Sequence, residues 1–327
     1  MSSTTVKATT TLGPGPHLRV AKGHGTENDF VLLHDPDGQV DLTPALVRGL
    51  ADRRAGLGGD GVIRLVRSTR LAEGADALAE DPSAVWFMDY RNGDGTLAEM
   101  CGNGVRVAAL FAERLGLWDG TGALALATRA GVRRVHSDPQ GSGWYAVDMG
   151  GWTMPGGAGA AARGMDAEVE VPGLPVVRPA LSIDVGNPHT VLALADAAEL
   201  AAADLTRPPV VTPTPLAGTN VELVVPLGEE TGPDGEVVGR LRMRVHERGV
   251  GETRSCGTGA CAAAMAVRTW AGAEAPSTWL VEVPGGTVRV RALPGGRVEL
   301  AGPARLVADG EVDLEALVRD AAARPSV

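Results

Sequence analysis

The sequence predicts an α/β (α+β) fold made of two pseudo-symmetric halves, each a mixed, largely antiparallel sheet wrapped around a central helix. Three observations lead there. The chain has 327 residues, enough for two domains of ordinary size, each with its own core. Four motif pairs recur in the same order at nearly constant offset. Asn28-Asp29-Phe30-Val31 matches Asn187-Pro188-His189-Thr190 at 159, and Gly59-Asp60-Gly61-Val62 matches Gly218-Thr219-Asn220-Val221 at 159. Arg91-Asn92-Gly93-Asp94-Gly95 matches Glu247-Arg248-Gly249-Val250-Gly251 at 156, and Cys101-Gly102-Asn103-Gly104 matches Cys256-Gly257-Thr258-Gly259 at 155. Four matches in register describe an internal duplication. Finally, each copy runs from a strand-like stretch through a Gly-rich turn into a helix that is apolar around most of its circumference, and such a helix must be covered on all sides.

The elements follow from local pattern. Met1 to His17 is rich in Thr, Gly and Pro, has no signal-peptide core, and reads as a disordered tail. Leu46 to Arg54 has helical periodicity; Val62 to Val66 and the apolar, aromatic Ala84 to Tyr90 read as strands. Asn103 to Leu115 forms a helix stopped by Gly116. In the second copy, alternating Arg240 to Glu247 is a strand, and Thr258 to Ala271 is a helix stopped by Gly272. Trp279 to Val283, Thr287 to Ala292 and Arg297 to Ala301 are short strands separated by Pro-Gly-Gly turns. The expected domains are 1–147 with 299–327, and 148–298.

Composition narrows the chemistry. The net charge is −10 and basic residues never form runs, so nucleic acid is not expected as a partner. No apolar stretch approaches a membrane span, and a cytoplasmic location is expected. Three cysteines cannot form a disulfide framework, and no Cys/His cluster has metal-ligand spacing. The chain has two lysines, Lys7 and Lys22, which leaves Schiff-base chemistry one candidate outside the tail. Gly56-Leu57-Gly58-Gly59-Asp60-Gly61 fits a dinucleotide fingerprint by letter, but a helix precedes it and a strand follows, the reverse of the required order.

The two Cys-Gly-Xaa-Gly turns are the candidate site. At a helix N-terminus unpaired N–H groups and the positive end of the dipole favour an anion, so a thiol there is drawn toward thiolate and a carboxylate can be held. Two such turns facing each other across an interdomain cleft would offer one thiol to each side of a bound carbon, the geometry that inverts a stereocentre. Equivalence across the repeat separates Cys101 and Cys256 from Cys261, which sits among Ala262, Ala263 and Ala264 as helix packing. Asn28, Asn92, Asn187 and Asn220 all fall in repeated turns, which favours ligand contact for them as a group. His189 and His246 read as hydrogen-bonding or packing residues.

Gly25-Thr26-Glu27-Asn28-Asp29-Phe30, Asn92-Gly93-Asp94-Gly95, Met100-Cys101-Gly102-Asn103-Gly104, Gly186-Asn187-Pro188-His189, Gly218-Thr219-Asn220 and Glu247-Arg248-Gly249-Val250-Gly251-Glu252-Thr253 into Cys256-Gly257-Thr258-Gly259-Ala260 closely resemble the diaminopimelate epimerase family over about residues 19–310. The resemblance implies a cofactor-free enzyme that interconverts LL- and meso-diaminopimelate, with no metal and with a homodimer as the candidate assembly. It also implies that Cys101 and Cys256 are the base and acid pair. Asn28, Asn92, Asn187, Asn220, Glu247 and Arg248 would bind substrate, Arg248 taking the distal carboxylate as a bidentate fork. The N–H groups of Gly102, Asn103, Gly257 and Thr258 would hold the reacting carboxylate. Three departures stand out: Thr26-Glu27 before Asn28, Gly61 where some relatives have a substrate-binding Gln, and Thr258 where Ser is frequent. The alternatives are another amino-acid racemase of this fold, such as proline racemase, which has little use for Arg248, and a thiol-disulfide switch. Phenazine-type isomerases lack the cysteine pair. A Cys101–Cys256 bond in an empty, closed cleft would abolish activity.

Overall fold

A computed structural model describes residues 17–138, 143–232 and 235–314, with 316, 317 and 319. The tail at Met1 to His17 lies outside them except for His17. The chain divides into two compact units: Met1–Gly25, Asp29–Tyr145 and Ala304–Val327 form the first, and Thr26–Asn28 with Ala146–Pro303 the second.

The first half runs β1 (His17–Gly25), β2 (Asn28–His34), α1 (Pro44–Ala51), β3 (Gly61–Arg67), α2 (Gly74–Glu80), β4 (Trp86–Asn92), α3 (Gly102–Arg114), β5 (Leu124–Thr128) and β6 (Gly131–Ser137). Then follow β7 (Trp144–Gly151), α4 (Gly157–Arg163), β8 (Ala167–Glu170), β9 (Arg178–Asp184), β10 (Pro188–Ala193), α5 (Ala197–Ala202), β11 (Val210–Thr212), β12 (Asn220–Thr231), β13 (Val237–Glu247) and β14 (Gly251–Thr253). The chain closes with α6 (Gly257–Ala271), β15 (Thr278–Val283), β16 (Gly286–Leu293), β17 (Arg297–Pro303) and β18 (Arg305–Asp313). The predicted strands and helices are all present, with ends displaced by at most three residues. The short α2, α4 and α5 carry too few apolar positions to show a period.

The duplication is visible in strand sense. In the first unit β2 runs parallel to β3, β3 antiparallel to β4, β4 parallel to β5 and β5 antiparallel to β6. In the second, β10 runs parallel to β12, β12 antiparallel to β13, β13 parallel to β15 and β15 antiparallel to β16. Register agrees residue by residue: Phe30 pairs with Gly61, and His189, 159 residues on from Phe30, pairs with Asn220, 159 on from Gly61. Gly61 stands opposite Asn92, and one step beyond the Val221–His246 pair sets Asn220 opposite Glu247. Glu247 is therefore the counterpart of Asn92, at the same 155 as the cysteines, and the 156 read from sequence was one residue out.

Each sheet wraps its long helix. In the first unit α3 packs on β1, β3, β4, β6 and β18; in the second α6 packs on β9, β10, β12, β13, β15, β16 and β17. From Gly102 to Ala109, and again at Phe111 and Ala112, α3 is buried, and α6 is buried from Gly259 to Val267. Burying an aliphatic side chain contributes about 1.5–3 kcal/mol, so these helices anchor their units. Gly116 takes a left-handed φ of 71° and donates to Glu113 O, and Gly272 (φ 92°) donates to Arg268 O, so both predicted stops act as helix ends.

Among the described residues no helix is long and apolar enough to cross a membrane. Gly56 to Asp60 lies between α1 and β3, which Gly61 begins, in helix-to-strand order.

Candidate active site

Both helix starts are built the same way. Cys101 and Cys256 are the N-caps of α3 and α6, each with extended backbone (φ −141° and −116°), and each Sγ accepts an N–H three residues on. The distances are 3.4 Å from Gly104 N to Cys101 Sγ and 3.3 Å from Gly259 N to Cys256 Sγ. Gly102 and Asn103, and Gly257 and Thr258, occupy the first two helical positions, where backbone N–H groups have no acceptor within the helix. At Gly259 the glycine is required by packing. A Cβ at Gly259 would lie 2.8 Å from Glu222 Oε1 and 3.2 Å from Cys256 Sγ.

The thiols differ in surroundings. Cys101 is half-buried and Cys256 buried, and neither they nor buried Cys261 are disulfide-bonded. Burial, joined by the Glu247 and Glu222 carboxylates, pushes the Cys256 thiol well above its ordinary value, against the hydrogen bonds from Thr258 and Gly259. The expectation that a helix N-terminus draws its thiol toward thiolate therefore fails for Cys256, where desolvation and two carboxylates outweigh the dipole.

In the second unit three of the predicted binding residues, Asn187, Asn220 and Arg248, fall in one hydrogen-bonded group around His189. His189 has Nδ1 2.7 Å from Glu222 Oε1 and Nε2 3.0 Å from Asn187 Oδ1, both imidazole and carboxylate fully buried. Asn220 accepts the Arg248 N–H at Oδ1 (2.9 Å) and donates Nδ2 to Pro188 O (3.3 Å), which orients the turn that carries Arg248. The exposed Arg248 guanidinium bonds Ala217 O, and Thr253 Oγ1 donates to Glu247 Oε1. Thr258 Oγ1 is 3.5 Å from Cys256 Sγ, so the Thr seen in place of Ser keeps the hydroxyl beside the thiol. In the first unit Asn92 ends β4 and donates Nδ2 to Thr96 Oγ1 at 3.0 Å, while Asn103 Oδ1 accepts from Arg106 Nη2 at 2.9 Å.

Asn28 follows a turn of unusual shape. Thr26 and Glu27 both have left-handed φ, 49° and 62°, a conformation that costs a β-branched residue of order 1–2 kcal/mol. Thr26 is held there by Ser255, the residue before Cys256, through a 2.7 Å contact between the hydroxyls, and Glu27 pairs with Arg254. The departure at Thr26-Glu27 thus ties the Asn28 turn to the segment that presents Cys256. Sequence reasoning missed Thr26, Ser255, Glu222 and Arg106 as parts of this machinery. The readable signal for the last two was a charge inside an otherwise apolar run, Val221-Glu222-Leu223 and Val105-Arg106-Val107.

Lys22, the Schiff-base candidate, is committed elsewhere: its ammonium bonds Asp29 and the Gly58 carbonyl. Arg53 adds a fork to Asp29 (3.0 and 2.7 Å) and a bond to Asp60 (2.7 Å). Although burial raises it, Asp29 is held at about 2 by its hydrogen bonds to Arg53 and Lys22. This cluster braces the loop whose Asp60 carbonyl accepts the Gly93 N–H beside Asn92.

The family model described as diaminopimelate epimerase matches residues 20–155 and 181–307. The chain belongs to the diaminopimelate epimerase family. A diaminopimelate epimerase of Streptomyces coelicolor is 47% identical over 299 residues, 89% of this chain and 94% of that one. One from Thermobifida fusca is 47% identical over 304 residues, 92% and 100% of the two chains. Among solved structures, a phenazine biosynthesis protein of the PhzF family from Bacillus anthracis superposes with a TM-score of 0.59 at 15% identity, covering 90% of this chain and 99% of that one. A probable proline racemase from Agrobacterium radiobacter gives 0.58 at 15%, covering 90% and 92%. Those two likenesses show the fold that diaminopimelate epimerases share with them.

Proposed function

We propose that the protein interconverts LL- and meso-2,6-diaminopimelate by a two-thiol proton transfer, without a cofactor, in the cytoplasmic supply of lysine and peptidoglycan precursors. The observation that carries this reading is the pair of equivalent cysteine N-caps, with the Glu247 carboxylate acting on the second. On the LL isomer the Cys101 thiolate takes the α-proton. The electron pair left on carbon spreads into the α-carboxylate, whose developing charge meets the N–H groups of Gly102, Asn103, Gly257 and Thr258. The Cys256 thiol, kept protonated by its burial and carboxylate neighbours, delivers its proton to the opposite face. The site is left with a Cys101 thiol and a Cys256 thiolate, the arrangement that runs the meso isomer back. Arg248 takes the distal carboxylate, Glu247 the ammonium group, and Asn28, Asn92, Asn187 and Asn220 complete the polar lining.

The test is conversion of LL-diaminopimelate to the meso form by reduced protein with nothing added. Loss of that conversion in Cys101→Ala and in Cys256→Ala, with retention in Cys261→Ala, is expected. No conversion by the reduced wild-type protein would sink the assignment.

A further inference from the structure

The two halves share topology but not the side chains behind their cysteines. A Cβ at Gly104 would meet Met88 Cε at 2.9 Å and Ile63 Cδ1 at 3.1 Å, whereas one at Gly259 would meet Glu222 Oε1 at 2.8 Å. Ile63 and Glu222 are equivalent residues, 159 apart, and so are Phe30 and His189. All four are buried. The apolar Phe30/Ile63 pair under Cys101 is thus replaced by an imidazole and a carboxylate under Cys256. Within the helices the exchange runs the other way. Arg106, the counterpart of Cys261 at an offset of 155, is fully buried and reaches back to Asn103 in the first turn of α3.

We propose that Arg106 and Glu222 are positioning residues that give the two thiols different protonation states before substrate arrives. The buried Arg106 cation, five residues along the same helix and bonded to Asn103 in its first turn, stabilises the Cys101 thiolate, and the buried carboxylate beside Cys256 keeps that thiol protonated. A chain that sets two thiols on opposite faces of one α-carbon needs this division, since two thiols supply no base and two thiolates supply no acid. This inference rests on the two-thiol reading of the site.

The other charged groups leave the division intact. In the second unit the buried charged side chains among the described residues are His189 and Glu222. Glu247, at the end of β13, adds a second carboxylate near Cys256, and Arg289 and Glu299 on β16 and β17 pair with each other. His189 contacts Glu222 Oε1, the oxygen nearest Gly259, while Oε2 is buried without a hydrogen-bond partner among the described residues. An orphaned carboxylate oxygen costs stability, and a packed apolar side chain such as Ile63 would remove that cost. In the first unit Arg64 and Asp89 sit on the strand faces opposite those of Ile63 and Met88 and bond each other at 2.6 Å. Arg106 is the buried cation within α3, and the remaining buried charged groups of this unit among the described residues are Asp35, which bonds Arg64, and Asp138, just past the end of β6.

The test reads the thiols without turnover. Ultraviolet thiolate absorbance is followed against pH in Cys261→Ala protein carrying either Cys101→Ser or Cys256→Ser, so that one site thiol reports at a time. Cys101 is expected to ionise at least about one pH unit below Cys256. Glu222→Gln should lower the Cys256 midpoint by about one unit and leave Cys101 in place. Arg106→Met should raise the Cys101 midpoint and Arg106→Lys restore it, both without moving Cys256. Coincident or reversed midpoints in the parent protein would overturn the proposal, and that comparison decides even if Arg106→Met does not fold. So would a Glu222→Gln protein whose Cys256 midpoint is unmoved. Midpoints that divide as stated in a protein that does not convert LL-diaminopimelate would refute the substrate and leave this inference standing.

Discussion

A single methyl group added at Gly259 separates the packing argument from the chemistry. The residue is helical, so Gly259→Ala gains helix propensity, about 1 kcal/mol. Against that, the new Cβ falls 2.8 Å from Glu222 Oε1 and 3.2 Å from both Cys256 Cβ and Sγ. Glu222 cannot retreat easily, because its Oε1 is held by His189 at 2.7 Å in a site with no exposed surface. Overpacking of this kind costs about 1–3 kcal/mol, so net stability should fall by about 0–2 kcal/mol. The thiol must give way as well, and displacement of a reacting group by about 1 Å costs on the order of a hundredfold in rate. The matched control is Gly104→Ala, whose clash at 2.9 Å is with the Met88 methyl, the free end of a flexible side chain. Chiral separation of the diaminopimelate isomers gives kcat, and thermal melts give stability. The expected result is a kcat loss of roughly a hundredfold in Gly259→Ala with a Tm within several degrees of wild type, and a loss below about tenfold in Gly104→Ala. Equal effects at the two glycines, or an unchanged kcat in Gly259→Ala, would refute the reasoning.

Arg248→Lys keeps the charge but not the fork, so KM for diaminopimelate should rise about tenfold or more with a smaller change in kcat, read from initial rates. Thr253→Val removes the hydroxyl that holds Glu247 and should also act mainly on KM; an unaltered KM would show that Glu247 needs no such support. Asp29 is depressed from 3.8 to about 2, so its contribution to stability is present above pH 4 and is lost as pH falls through 2. Asp29→Asn should therefore cost about 1 kcal/mol at neutral pH and flatten the fall in Tm between pH 4 and pH 2; a parallel fall in both proteins would contradict the role given to Arg53 and Lys22.

Glycine and cysteine spacing made the duplication legible, because turns and helix starts depend on a few residue types at fixed positions. The same signals placed Cys101 and Cys256 at helix N-caps and set Cys261 aside. The one-residue slip at Glu247 came from aligning Arg91 with it by turn composition; only strand register shows that Asn92 is its counterpart. His189 was read as a hydrogen-bonding residue, and it is one, but its partner Glu222 looked like ordinary alternation in Asn220-Val221-Glu222-Leu223. Burial of both faces of β12 at that point is what turns this glutamate into a buried charge, and burial of that kind depends on α6, which lies more than thirty residues away in the chain. Arg106 escaped notice for the same reason: one arginine in a helix reads as its solvent face, and α3 has none in its first turns.

The central claim is that two thiols work on opposite faces of one carbon, and the label pattern at early time in deuterated water tests it most directly. With reduced protein and LL-diaminopimelate, proton delivery by a second, solvent-exchanged thiol predicts deuterium at the α-carbon of newly formed meso product while the remaining LL isomer keeps its protium. Deuterium entering the LL pool as fast as the meso product, or protium carried intact into the meso isomer, would mean that one group performs both transfers and would contradict the account.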